Sequence, residues 1–321
     1  MRINVPTPQI SKHALRPRLG AIPRYLPSHP SLSLYTSSAR QISSGKKKPR
    51  FLEHHHLRGD TRDGLISYET AELFQDKYRA RILAWKALPE HERIATEPPL
   101  PRVLTFESLP VITLGRRQGE LTEEQTLRLQ QDLDVHLPIR HIPVQGTFQP
   151  VIKKTSRGGL TTYHGPGQLI IWPIIDMHSP CYPKYGVATY AAHLESTTQR
   201  LLAQQFSIQT YTTQDEPGVW VRGSPGQAPR KIAALGVHHR RFTTALGIAI
   251  NIDIPTEGAE RVNPWKRFVP CGLEGKLVTS AAAELGVNPV ERWNVPYLAE
   301  RWVALFKEGL RDVSKRGENT R

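Results

Sequence analysis

The sequence predicts a single α+β domain. Short β-type runs fill its centre, helical periodicity brackets them at both ends, and no internal repeat divides it. At the front, residues 68–88 place Leu73, Tyr78, Ile82 and Trp85 at mixed three- and four-residue spacings, the pattern of an amphipathic helix. Residues 90–101 form a proline-rich connection. Residues 103–107 and 111–114 then read as two strands around Ser108-Leu109-Pro110, followed by Gly115-Arg116-Arg117. Residues 122–134 are polar and helical, and residues 137–150, punctuated by proline, read as part of an insertion spanning 120–150. Residues 151–154 lead into a glycine-rich run. Beyond it, residues 169–175 are a strongly apolar strand, and residues 185–206 a helix turning Leu194, Leu201 and Leu202 inward. Residues 219–222, 232–237 and 248–252 read as further strands, with a loop at 223–229. Residues 277–285 and 296–310 read as closing helices.

Charge separates one end of the chain from the rest. The formal net charge is +14, but residues 1–50 hold ten Lys and Arg and no Asp or Glu, which leaves +4 for the remainder. The basic bias therefore belongs to the tail, and nucleic acid is not expected as a partner. Residues 1–50 are also rich in Ser and Pro and lack an apolar core segment, as in a mitochondrial transit peptide rather than a secretory signal. A disordered basic tail without an address is the alternative. The matrix is the expected location, with a single folded domain over 64–310 and a polar tail over 311–321. No run reaches the roughly 18 apolar residues of a membrane span. Two cysteines, Cys181 and Cys271, cannot build a disulfide framework, so each is either reactive or merely packed.

Three constellations could carry chemistry. Residues 157–168, RGGLTTYHGPGQ, put four glycines and a proline among polar and aromatic side chains, a poor helix or core strand. Glycine there lets backbone approach a ligand while Arg157, Tyr163 and His164 supply walls; the alternative is a solvated surface turn. The spacing is that of neither a P-loop nor a dinucleotide fingerprint. In RKIAALGV, residues 230–237, Lys231 precedes a small apolar strand, where partial desolvation would favour a base; a surface lysine at a strand edge is the alternative. Cys271, between Pro270 and Gly272, lies on a turn where a thiolate is reachable, and an adjacent ammonium would favour that form. Cys181 has a similarly loop-like setting, so position alone does not choose between them. The histidine clusters, His54-His55-His56 and His238-His239, lack Cys or acidic partners at ligand spacing and are expected to be solvated, with no metal.

Taken in order, RGGLTTYHGPGQ, RKIAALG, LGIAINID at 246–253 and PCGL at 270–273 resemble the signature blocks of the octanoyl-[acyl carrier protein]:protein octanoyltransferases. VLTFESLPVITLGRR at 103–117 is similar to that family's early strand pair, and the resemblance covers roughly residues 65–290. It implies a biotin/lipoate protein ligase-like fold, a mixed sheet flanked by helices. It also implies that Cys271 is the acyl-thioester nucleophile and Lys231 its activator. The acyl cleft would be lined by Arg157, Gly158, Gly159, Leu160, Thr161, Thr162, Tyr163 and His164, with Ala234, Leu235, Gly236, Gly247, Ile248 and Ala249.

The activity so implied is transfer of an octanoyl group from octanoyl-acyl carrier protein to the target lysine of apo lipoyl domains or the glycine-cleavage H protein. The enzyme would act as a monomer without a cofactor. The sequence departs from the family pattern at Leu160, where Gln is common, at Leu246, where His is usual, and in the length of 120–150, which is expected to alter the cleft rim. Two other readings compete. An ATP-dependent lipoate or biotin ligase would need an adenylate loop that the sequence does not display, and a non-catalytic binder of lipoyl domains or nucleic acid would need neither cysteine nor lysine.

Overall fold

The computed structural model describes residues 34–35, 51–268, 277–286 and 294–317. Its strands are β1 (Leu34–Tyr35), β2 (Glu53–Leu57), β3 (Arg102–Phe106), β4 (Val111–Leu114), β5 (Leu133–Leu137), β6 (Val144–Phe148), β7 (Val151–Lys154), β8 (Thr161–His164), β9 (Gln168–Ile174), β10 (Gly218–Val221), β11 (Arg230–Arg240), β12 (Thr243–Asn251) and β13 (Leu277–Val278). The helices are α1 (Tyr68–Ala87), α2 (Glu90–Ala95), α3 (Glu123–Leu129), α4 (Val187–Phe206), α5 (Ala281–Leu285) and α6 (Val295–Arg311). The main sheet runs β1-β2-β3-β9-β12-β11-β10, with β13 added beside β11. It is mixed: β2–β3 and β11–β13 pair in parallel, the other neighbours antiparallel. This is the α+β, mixed-sheet architecture expected.

Helices α4 and α6 cover one face of the main sheet. Leu194, Leu201 and Leu202 of α4 and Trp302 and Phe306 of α6 meet Val219, Ile232, Ile248 and Ile250 in one apolar core. The opposite face carries α1. Ser67 caps this helix by accepting the amide of Thr70 at 3.0 Å. Its inward stripe is Tyr68, Ala71, Gln75, Tyr78 and Ile82, spaced three, four, three, four. Leu73, expected on that stripe, points outward and is 67% exposed, because it falls between the stripe positions 71 and 75.

A smaller sheet, β7-β4-β8, takes its last strand from within the glycine-rich run. Here two expectations are corrected. Thr161–His164 is a buried strand rather than a loop, paired antiparallel with β4. Residues 133–148 form a hairpin, β5–β6, whose Leu133, Val135, Leu137 and Val144 pack with Ile112, Leu114, Tyr163 and Trp265. The 120–150 segment is therefore anchored in a third core. Arg267 fastens it by donating to the carbonyls of Leu129, Gln131 and Asp132. Further along, residues 277–285 divide into the short strand β13 and helix α5 instead of one helix, because Ser280 caps α5 by accepting the amide of Ala283.

The histidines of β2 are also not solvated as expected. A ring nitrogen of His54 and one of His56 both lie within 2.9 Å of the same hydroxyl, Thr105 Oγ1 on β3. Burial lowers their pKa values to about 4 and about 3, so both are neutral at pH 7. Among the described residues no three His, Cys, Asp or Glu side chains gather as a metal site, and no helix is long and apolar enough to cross a membrane.

Candidate active site

The site grows from the pairing of β10, β11 and β12. Residues paired across antiparallel strands share a face, and successive residues alternate. Val219 and Val221 of β10 point into the α4–α6 core, so Trp220 between them faces the other way. Lys231 pairs with Trp220 and shares its face. An unbroken register would have set Lys231 with Ala233 among the core residues. A register shift between Val219 and Trp220 absorbs one residue of β11 and turns Lys231 outward instead, while Ile232 and Ala233 both remain in the core.

Lys231 is nonetheless 7% exposed. Its ammonium donates to the Pro217 carbonyl at 3.3 Å and lies 4.5 Å from the centroid of the Trp220 ring, a cation–π contact. The side chain leans along the sheet toward Gly218, the partner of Ala234. A Cβ added at Gly218 would lie 3.5 Å from Lys231 Cε. The head of Lys231 thus stands level with Ala234, on the same face of the sheet.

At Ala234 an apolar pocket begins. Its sheet-side wall is Ala234, Leu235, Gly236, Leu246, Gly247, Ile248, Ala249, Ile170 and Trp172; Tyr68 of α1 and Arg157, Thr162 and His164 close the other side. The glycines matter where backbones meet. A Cβ on Gly247 would strike the carbonyl of Ile171, and one on Gly236 would lie 3.0 Å from Arg157 Cδ. Gly236 therefore lies directly under the stem of Arg157, and Gly247 directly against the backbone of β9.

Two polar groups of this wall, the Arg157 guanidinium and His164 Nδ1, are already committed. Arg157 donates from Nε and Nη2 to Thr113 Oγ1 at 3.2 and 2.8 Å, and from Nη2 to the Thr113 carbonyl at 2.6 Å. It ties the glycine-rich turn to β4. His164 is held at neutral charge, its pKa lowered to about 4 by burial. Its tautomer follows from a buried chain of bonds. Asn251 Nδ2 donates to the Thr279 carbonyl, so Asn251 Oδ1 accepts from Gln168 Nε2, both at 2.8 Å. Gln168 Oε1 then accepts from His164 Nδ1 at 2.6 Å, leaving Nε2 without a proton. Stacking on Tyr68 fixes the ring plane. The pocket, about 40 Å³ in volume, thus presents hydrocarbon, one neutral imidazole and a hydroxyl.

Of the residues predicted to bind substrate, Arg157, Thr162, His164, Ala234, Leu235, Gly236, Gly247, Ile248 and Ala249 line this pocket. Gly158, Gly159, Leu160, Thr161 and Tyr163 do not line it. The Tyr163 ring packs edge-on against Trp265 in the third core, because β8 alternation turns it away from Thr162 and His164. Leu160 is spent on the backbone, its carbonyl accepting from Gly115 at 3.2 Å. No residue of 120–150 lines the pocket, so the expected change of rim is not made by that segment. Tyr68, Ile170 and Trp172 are wall residues that sequence reasoning missed, the apolar run at 169–175 marking the last two only as core; Leu246, which sequence reasoning noted as a departure near the cleft, also lines the wall.

Cys271 lies outside the described residues. Leu277 and Val278, which follow it, pair with Arg230 and Lys231, and the Thr279 amide donates to the Lys231 carbonyl at 3.0 Å. Cys181 is exposed and is not part of the pocket wall.

Residues 90–307 match the family described as the lipoyl protein ligase A/B catalytic domain. An octanoyltransferase of Mycolicibacterium gilvum is 38% identical over 63% of this chain and 71% of that protein. The chain belongs to the octanoyltransferase family. It is accordingly a transferase. An octanoyltransferase of Koribacter versatilis is 33% identical over 64% of this chain and 72% of its own. One of Mycobacterium leprae is 39% identical over 57% and 83%, respectively. Among solved structures, a bipartite lipoate protein ligase from Thermoplasma acidophilum aligns at a TM-score of 0.46 and 11% identity, over 81% of this chain and 82% of that one. At that similarity it bears on neither activity nor substrate.

Proposed function

We propose that this octanoyltransferase-family chain moves an octanoyl group from octanoyl-acyl carrier protein to the target lysine of apo lipoyl domains, or of the glycine-cleavage H protein, through a thioester on Cys271. One observation supports the reading most: a buried lysine whose head stands level with Ala234 of a mostly apolar pocket wall, within a chain of this family. In the first half, the Cys271 thiolate attacks the thioester carbonyl; a C–S bond forms, the carrier's C–S bond breaks, and the carrier thiol leaves with a proton. In the second, the acceptor amine attacks the acyl-enzyme, a C–N bond forms and the Cys271 thiolate is released. Lys231 acts in both halves, first as the ammonium beside the thiolate and the donor to the departing thiol, then as the neutral amine that takes the acceptor's proton. Thioester to amide runs downhill, so ATP is not consumed.

The test is the intact mass of the enzyme after incubation with octanoyl-acyl carrier protein. The wild-type chain should gain one octanoyl group and lose it on addition of apo lipoyl domain; Cys271→Ser should do neither. A Cys271→Ser enzyme that transfers at the wild-type rate refutes the reading, and a strict need for ATP would favour a ligase.

A further inference from the structure

Glu195 stands in the buried stretch of α4, next to the core residue Leu194, and is 2% exposed. A carboxylate at that depth persists where hydrogen bonds and an opposite charge compensate it. Its Oε1 accepts the Gly218 amide at 2.8 Å. The carbonyl of the same peptide group, that of Pro217, accepts from Lys231 Nζ at 3.3 Å. A single peptide thus lies between a buried acid and the lysine of the site. In a trans peptide the N–H and the C=O point in opposite directions. Its dipole therefore turns the positive end to Glu195 and the negative end to the Lys231 ammonium. The chain is shaped for this contact. Proline fixes φ at 217, and Gly218 has a φ of 130°, which favours glycine. A Cβ on Gly218 would strike the Ala233 carbonyl at 2.5 Å, so glycine is what lets the peptide close on β11.

We propose that Glu195 is the positioning residue of Lys231, acting through the Pro217–Gly218 peptide to hold the lysine head in place and to stabilise its ammonium form. This role rests on the acid–base part that Lys231 plays in the transfer reading above. The other charged groups of the neighbouring elements are occupied elsewhere. Arg230 pairs with Glu284 of α5 at 2.7 Å, and Arg222, just after β10, lies 4.5 Å from the Tyr211 ring centroid. On α4, His193 bonds Tyr185 and Arg200 pairs with Glu308. Strands β12 and β13 carry no charged residue. Asp215 and Glu216, in the loop before β10, are exposed and half-buried respectively. Across about 7 Å, at an effective dielectric of about 20, one carboxylate favours an ammonium by about one to two pH units. Removing that charge should let Lys231 lose its proton at lower pH.

The experiment titrates Lys231 directly in the full chain. Trace acetylation by acetic anhydride across a pH series, read by mass on the peptide bearing Lys231, gives the midpoint in the wild type and in Glu195→Gln. Glutamine keeps the volume and an oxygen for the Gly218 amide while removing the charge. The midpoint should fall by about one pH unit or more, and the pH limb of transfer to the acceptor amine should move down with it. An unchanged midpoint, even with a lower urea midpoint, makes Glu195 a structural residue only and overturns the proposal. A second measurement does not depend on how Glu195→Gln folds. In a chain labelled with ¹⁵N-glycine, the Gly218 amide resonance should step with pH as Lys231 titrates, and Lys231→Met should abolish that step. A step that survives Lys231→Met overturns the coupling. Neither titration uses an acyl substrate, so both stand apart from the transfer reading, which fails instead if the wild-type enzyme transfers no acyl group.

Discussion

Lys231 owes its setting to one residue of register. Without the shift opposite Val219 and Trp220, its side chain would enter the α4–α6 core; with it, the head reaches the Pro217 carbonyl and the Trp220 ring, on the sheet face that carries the pocket wall residue Ala234. The two proposed roles of this side chain separate by substitution. Arginine keeps a positive charge but does not give up its proton near neutral pH. Lys231→Arg should therefore slow transfer to the acceptor amine by about 10²–10⁴, the usual contribution of a general base, and slow enzyme acylation much less, because the carrier sulfur can leave as a thiolate without the donated proton. Lys231→Met should suppress both. Single-turnover mass measurements separate the halves, and equal slowing of both by Lys231→Arg would refute a proton-accepting role. At this scale the residue types of the site were legible, since glycine-rich and Lys-bearing blocks stand out in sequence. Tyr163 shows the limit: it belongs to the same block as His164, yet strand alternation sends it to a different core.

Helix α1 is the element that connects stability to the pocket. It carries Tyr68 to the pocket wall and Gln75 to the Leu246 amide, and it begins at the Ser67 cap. Ser67→Ala should lower stability by about 1 kcal/mol, measured as a shift in the urea midpoint at constant slope. An unchanged midpoint would mean that the cap is dispensable. The segment 120–150 is similarly tied in. Arg140, 1% exposed, pairs with Glu107 at 2.6 Å and stands 3.6 Å from Asp253. Arg140→Ala leaves two buried carboxylates facing each other and should cost about 3–5 kcal/mol, far more than an exposed arginine would. A loss under 1 kcal/mol in urea titrations would show that the pair is not holding the segment. Helices α1, α4 and α6 were readable because a long 3.6-residue period survives local noise. Strand β8 and the β5–β6 hairpin were not, because glycines and prolines flank strands only four or five residues long.

Across the whole molecule, buried histidines make the fold acid-sensitive. His164 and His193 are both buried, and burial lowers their pKa values to about 4 and about 3, from 6.5. Depressed folded values mean that the stabilising contribution is complete above pH 6.5 and is lost as pH falls toward 4, at up to about 1.4 kcal/mol per pH unit for each group. His54 and His56 act in the same direction. Asp253 opposes them: burial raises its pKa from 3.8 to about 6, so its contribution is lost as pH rises through that range. The buried histidines outnumber the raised carboxyls Asp253 and Glu72, so the urea midpoint should fall clearly between pH 7.5 and pH 5; a flat profile would refute the assignment. The basic tail belongs to this scale too. We also propose that residues 1–50, with ten positive and no negative side chains, act as a mitochondrial address. A fusion of that segment to a fluorescent protein should collect in mitochondria, and a diffuse cytosolic signal would refute it.

The sequence by itself determined the α+β class, the long helices and strands, the family and most of the pocket's glycine and alanine floor. Those features are written in local periodicity and in contiguous blocks, which survive without knowledge of the neighbours. Only the tertiary structure decided which way individual side chains face. Lys231 leaves the core through a register shift set by β10, Leu246 enters the pocket through a positive φ held by Gln75, and Arg157 is absorbed by Thr113. Each outcome depends on a partner distant in the chain, and in a strand a single residue of register reverses the face.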